Sequence, residues 1–169
     1  LAELNTKTQK ARACGIYFAD LNILKAMKKP TTDVEKTLAK LAQDLDIPFA
    51  IEIMKEEAPA NATQEQLNAF LDEQENKLID AMMENDKADI ELELLSGMAV
   101  EYATIYANPG LVVKGDAVSA GLSENMEKRL DIMLEITNDL AKYYPDLKQT
   151  GEIIAPLKDM VASVATARE

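Results

Sequence analysis

Apolar residues recur at every third or fourth position along most of the chain, the period of an α-helix, and no alternating run long enough for a strand interrupts them. The first such stretch runs from about Glu3 to Met27. It ends on Lys25, Lys28 and Lys29, whose charge suits a helix C-terminus, before Pro30 stops it. Thr32-Asp33-Val34-Glu35 has the spacing of a capping box and opens a second helix to about Asp46. Pro48, with its fixed φ and missing N–H, suits a first helical turn and starts a short segment through Glu57; Ala58–Ala62 is a linker. A second box, Thr63-Gln64-Glu65-Gln66, opens a helix to about Glu84 with Leu67, Phe70, Leu71, Leu78, Met82 and Met83 on its apolar stripe, one of the two methionines inside and one at the edge. Asp86 is placed to cap the next helix, which is apolar nearly all round from Leu92 to Ala103 and stops at Asn108-Pro109-Gly110. Ser123 then caps a helix with Met126, Leu130, Met133, Leu134, Ile136 and Leu140 inward, ending at Tyr144-Pro145. A last segment covers about Glu152 to Ala165, with Pro156 breaking or restarting it.

The pattern predicts an all-α fold. It is a single antiparallel helical bundle over residues 1–169, with five to six main helices, one short extra helix, and the two most apolar helices in the centre. A chain of 169 residues can bury about 70% of its unfolded surface, so one core suffices. The segment from Pro109 to Leu122, with three of the six glycines and Leu111, Val112, Val113 and Val118, is long for a bundle connection. It either covers one end of the bundle or offers an apolar contact surface to a partner.

Composition removes more chemistry than it adds. With no His the chain lacks the base of a serine–histidine relay, the usual zinc ligand and the Glu-x-x-His di-iron motif. A net charge of −12 repels phosphate backbones and anionic lipid, which argues against nucleic-acid binding and membrane-surface binding. No run approaches the ~20 apolar residues of a spanning helix, so direct membrane insertion by this segment is not expected. Cys14, alone and in the apolar run Ala13–Ala19, reads as a buried, inert thiol. The methionines follow helical spacing as core fillers; no metal site and no cofactor are expected.

The informative feature is a parallel between the two apolar helices: each carries a mid-helix glycine, a tyrosine and a carboxylate among apolar neighbours. These are Gly15, Tyr17 and Asp20 in one, and Gly97, Glu101 and Tyr102 in the other. A mid-helix Gly costs about 1 kcal/mol against Ala, and close backbone approach is the usual return, so the helices are expected to cross near Gly15 and Gly97. Asp20 shares a face with Ile16, Ile23 and Leu24, and Glu101 with Leu94, Met98 and Ile105, which points both carboxylates inward. Tyr17, Asn22, Ser96, Tyr102 and Thr104 are their candidate partners, and Arg12 a candidate cation. Two readings follow: a hydrogen-bonded network that fixes helix register, or a small polar ligand pocket formed by Tyr17, Asp20, Glu101 and Tyr102. A carboxylate-dependent hydrolase is a third, disfavoured by the few aromatics available for a sugar cleft. The remaining acids, including Asp86, Asp89 and Glu91 and the set Glu56, Glu57, Glu73 and Glu75, read as helix-capping or solvated.

Ala11-Arg12-Ala13-Cys14-Gly15-Ile16-Tyr17-Phe18-Ala19-Asp20-Leu21, followed by Leu38-Ala39-Lys40-Leu41 to Ile47-Pro48, resembles a family of uncharacterised helical lipoproteins from Gram-negative gut anaerobes. Gly97-Met98-Ala99-Val100-Glu101-Tyr102 is similar to that family's Gly-Gly-Trp-Ile-Glu segment, with Met98–Val100 where the aromatic stands. The resemblance implies an all-α fold, export to the periplasm or outer membrane, and a lipid anchor on a Cys upstream of Leu1; it implies no activity. The chain's start at Leu1 agrees with a trimmed N-terminus. The expectation is a non-enzymatic, acidic interaction or structural module of the cell envelope with a protein partner; the alternative is a small-ligand binder using Asp20 and Glu101.

Overall fold

The computed structural model describes residues 4–107 continuously and, beyond them, 128, 131–136, 138–139, 142, 155–156, 158–159 and 162–163. The described residues are helical with no strand: α1 (Lys7–Ala26), α2 (Thr32–Asp44), α3 (Phe49–Lys55), α4 (Gln64–Glu84) and α5 (Ala88–Ala107), followed by helical residues 131–136. The fold is an all-α helical bundle. The segment from Pro109 to Leu122 and the turn at Tyr144-Pro145 lie outside the described residues, as do Ser123, Met126, Leu130 and Leu140. Of the stripe assigned to the following helix, Met133 is buried, and Leu134 and Ile136 pack against the core. Pro156 lies in helical backbone.

Caps explain most boundaries. Thr6 caps α1 with a full box to Gln9, so the helix starts later than Glu3, and Thr63 caps α4 the same way with Gln66. The box expected at Thr32 does not form. Thr31 is the N-cap of α2, makes no side-chain cap bond, and instead donates its hydroxyl to Glu35 Oε1 at 2.6 Å. Asp86 does not cap α5 either; with φ of 55° it closes α4. Lys28, Asp46 and Asp86 are all left-handed residues just past a helix end, and at each the next amide reaches back: Lys29 to Leu24, Ile47 to Ala42, Lys87 to Met82. That is the Schellman closure, built three times without glycine.

Successive helices alternate in direction. Lys10 on α1 pairs with Asp44 at the end of α2 at 2.7 Å, so α2 runs antiparallel to α1. Lys25, near the other end of α1, donates to the Met54 and Glu56 carbonyls at the end of α3 and lies over the Phe70 ring of α4. The lysine expected to compensate its own helix therefore also caps α3. Lys87, before α5, pairs with Asp46, which returns the chain to the starting end. The central pair, α1 and α5, consequently runs parallel: Lys7 meets Asp89, Arg12 meets Glu93, Gly15 meets Leu94 and Asn22 meets Tyr102, the numbering rising together. Both helices follow an even number of reversals, so parallel packing is the natural outcome of the alternation.

Gly15 and Gly97 hold that pair at backbone contact, as their positions predicted. A Cβ on Gly15 would lie 1.9 Å from the Leu94 carbonyl oxygen, and one on Gly97 2.0 Å from that of Arg12. Buried Ala11 and Ala19, one turn either side of Gly15, continue the small-residue face of α1. Around it Phe18, Leu21, Leu38, Leu41, Ile47, Leu95 and Met98 build one core, and Leu67 and Leu71 pack with Ala26 and Phe70 in a satellite. Met82 is buried and Met83 exposed, as the stripe required.

Candidate functional site

The four residues singled out from sequence separate into different settings. Tyr17 is half-buried and packs against the core edge. Asp20 and Glu101, both half-buried, bond to each other across the central pair. Burial raises both carboxyls; contact with Asp20 pushes Glu101 further up, while the same contact works against the rise of Asp20. Arg12 is not their counter-ion, since it pairs with Glu93 at 2.5 Å. Thr104 is exposed and returns its hydroxyl to the Val100 carbonyl.

Tyr102 belongs to a second cluster, the buried network foreseen with other members. Its hydroxyl donates to Glu75 Oε1 at 2.6 Å, and Asn22 Nδ2 donates to the same oxygen at 2.9 Å. Three helices, α1, α4 and α5, are joined at that carboxylate. Asn22 Oδ1 is buried there without a partner. Glu75 therefore faces inward, contrary to the solvated role its sequence neighbourhood gave it, while Glu73 does stay exposed against Lys77. Glu56 accepts from both Lys77 and buried Gln74, which ties the end of α3 to α4.

Glu91 is the residue that sequence reading missed. It stands one turn into α5, where an acid ordinarily complements the positive helix end. Its backbone position instead turns the side chain toward α4, and only 1% of the residue is exposed. Neither carboxylate oxygen has a hydrogen-bond partner. Burial, with the charge of Asp80 nearby, pushes its carboxyl up to about 7. The one available signal was the run Ile90-Glu91-Leu92, an acid flanked by two core residues on a helix that is apolar all round.

Glu91 lines a cavity of about 180 Å³ between α4, α5 and the residues Lys128, Ile132, Met133 and Ile136. Its walls are apolar: Leu78, Ile79 and Met82 from α4, Leu94, Leu95 and Met98 from α5, and Ile132, Met133 and Ile136 from beyond. Glu75 and Asp72 complete it, and exposed Asn76, Lys128 and Ile132 mark where it meets solvent. Tyr17, Asp20, Glu101 and Tyr102 do not line it, although Tyr102 holds Glu75 in place. An apolar space of ~150 Å³ suffices for a benzene-sized molecule. Among the described residues no cluster of acids and Cys is arranged to hold a metal ion, and no helix is long and apolar enough to cross a membrane.

No known protein family, curated protein or solved structure matches the chain. What the site can do is read from its own atoms.

Proposed function

We propose that the protein is a non-enzymatic binder of small organic cations, which it takes into the cavity at Glu91. The reading keeps the small-ligand class considered from sequence and moves its centre from the Asp20–Glu101 pair to Glu91. One observation carries it: a carboxylate almost wholly removed from solvent, with both oxygens unpartnered, lining an apolar cavity large enough for a guest.

Such a group is costly to bury charged, and two things relieve the cost: a proton or a cation. Acidic pH supplies the first. A ligand ammonium supplies the second, donating to the two oxygens while its hydrocarbon part covers Leu94, Met98 and Ile132. An anionic ligand would meet Glu91, Glu75 and Asp72 with the wrong sign.

Thermal unfolding at pH 8, where Glu91 is largely ionised, tests this. Primary alkylamines raise the melting temperature in a saturable way, because a ligand at 100 times Kd adds ~2.7 kcal/mol to stability. The matching alcohols and carboxylates do not, and Glu91→Gln abolishes the amine response. Equal responses in wild type and Glu91→Gln would overturn the proposal. From the resemblance we add that the binder faces the cell envelope. Fractionation of the full-length protein into the cytosol would remove that part alone.

A further inference from the structure

We infer that the guest is an arylalkylamine: a primary or secondary ammonium that gives one N–H to each oxygen of Glu91, carried on a single benzene-sized ring. This rests on the cation reading above and adds to it the number of donors and the size and shape of the apolar part.

The donor count comes from Glu91 itself. Both of its oxygens are buried and both lack a hydrogen-bond partner, so charge alone leaves the site half served. A buried acceptor that has lost its water and gained no donor is costly, and more so when it is ionised. A primary ammonium has three N–H groups and a secondary one has two, enough for one to each oxygen; a tertiary ammonium has one and a quaternary ammonium none. Among the described residues that line the cavity there is no Phe, Tyr or Trp, so the aromatic faces that hold a quaternary ammonium elsewhere are missing here.

The ring comes from the rest of the wall. The cavity holds about 180 Å³, and an apolar space of ~150 Å³ takes a benzene molecule, so the ~30 Å³ that remains is the liquid share of one water and leaves room for the ammonium beside the ring. Buried Met82, Met98 and Met133 bring three thioethers to the wall. Sulfur makes favourable contacts at the edge of an aromatic ring, and the unbranched methionine side chain adapts to a guest's outline. An open hydrocarbon chain of equal size would lose its rotamer freedom on entry, whereas a ring has none to lose.

Calorimetric titration of the whole chain at pH 8, where all the amines used are cations, tests both parts. The probes are 2-phenylethylamine, its N-methyl, N,N-dimethyl and N,N,N-trimethyl derivatives, and ethylamine. The first two are expected to bind within about threefold of each other, and the dimethyl and trimethyl compounds at least about tenfold more weakly, because the second oxygen then loses its donor. Ethylamine, with no ring to cover the wall, is expected at least about tenfold below 2-phenylethylamine. In Glu91→Gln the step between the N-methyl and dimethyl compounds should vanish; the wild-type series needs no variant to be read. Equal binding along the series, or an even decline with each methyl group, would overturn the donor count and leave the cation reading standing. Ethylamine binding as tightly as 2-phenylethylamine would overturn the ring. If no amine binds, the inference and the cation reading fall together.

Discussion

Replacing Gly15 by Ala adds one methyl group, and the structure says where it must go. The new carbon would stand 1.9 Å from the Leu94 oxygen, 2.8 Å from the Leu94 carbonyl carbon and 2.9 Å from the Met98 nitrogen. All three atoms are backbone, so no side chain can rotate aside, and ordinary contact begins near 3.4 Å. The helices must part by about 1.5 Å, and a gap of even 0.5–1 Å forfeits a quarter to a half of the dispersion energy of each contact it opens. Buried Ala11 and Ala19 flank Gly15 by one turn on the same face of α1 and share in the separation. Overpacking of this kind costs about 3 kcal/mol or more, and the better helix propensity of Ala offsets about 1 kcal/mol. The net expectation is a loss of at least about 2 kcal/mol, read as a lower urea midpoint with an unchanged slope. The sign is the decisive feature, because an unobstructed mid-helix Gly→Ala change stabilises. Gly97→Ala should behave alike, and the double variant should lose less than the two single losses together, since helices already parted accept the second methyl group. A neutral or stabilised Gly15→Ala would refute the backbone-contact crossing.

Three further expectations follow from individual residues. Lys28→Gly, at an exposed left-handed position closing α1, should raise stability by about 1 kcal/mol in urea denaturation, since a side chain in that region costs roughly that much. Cys14, buried with its thiol pushed up to about 12, should stay unreactive to an aromatic disulfide reagent until the chain unfolds; reaction at the rate of a free thiol in the native state would contradict its burial. Glu91→Gln should be more stable than wild type well above pH 7 by roughly 3 kcal/mol, the free-energy equivalent of its displacement. Because the folded carboxyl titrates near 7 and the unfolded one near 4.5, the protonated wild-type group contributes its full stability below pH 4.5 and loses it as pH rises through 7, so the two unfolding curves should converge in acid.

Helix period, breakers and caps made the fold legible before any coordinates: α4 spans the stretch its Thr63 box announced, and the paired glycines located the central crossing. Errors fell where two local solutions compete. Thr31 and Thr32 are adjacent hydroxyls, and either could have capped α2; Asp86 could cap forward or close backward, and it closes α4. The site was less legible, for a physical reason. Side-chain direction on an amphipathic helix follows from the stripe, but α5 is apolar on nearly every side, so its pattern does not say which face meets α4. Glu91 near its N-terminus then looks like a dipole-complementing acid, although it is turned inward. Glu75 was obscured by its neighbour Glu73, which is solvated; about half a turn of helix separates an exposed acid from one that joins three helices. Asp20 and Glu101 were read as pointing inward; both are half-buried and bond to each other, and they do not line the cavity.

The central claim is that Glu91 is a buried carboxylate waiting for a positive charge. Its side-chain carboxyl resonance, followed by NMR across pH with the protein free and then saturated with a primary alkylamine, tests this. The midpoint is expected near 7 in the free protein, where burial disfavours the ionised form, with a fall to the ordinary carboxylate range or below once an ammonium group is bound. A free-protein midpoint near 4.5 that the amine leaves in place would contradict it.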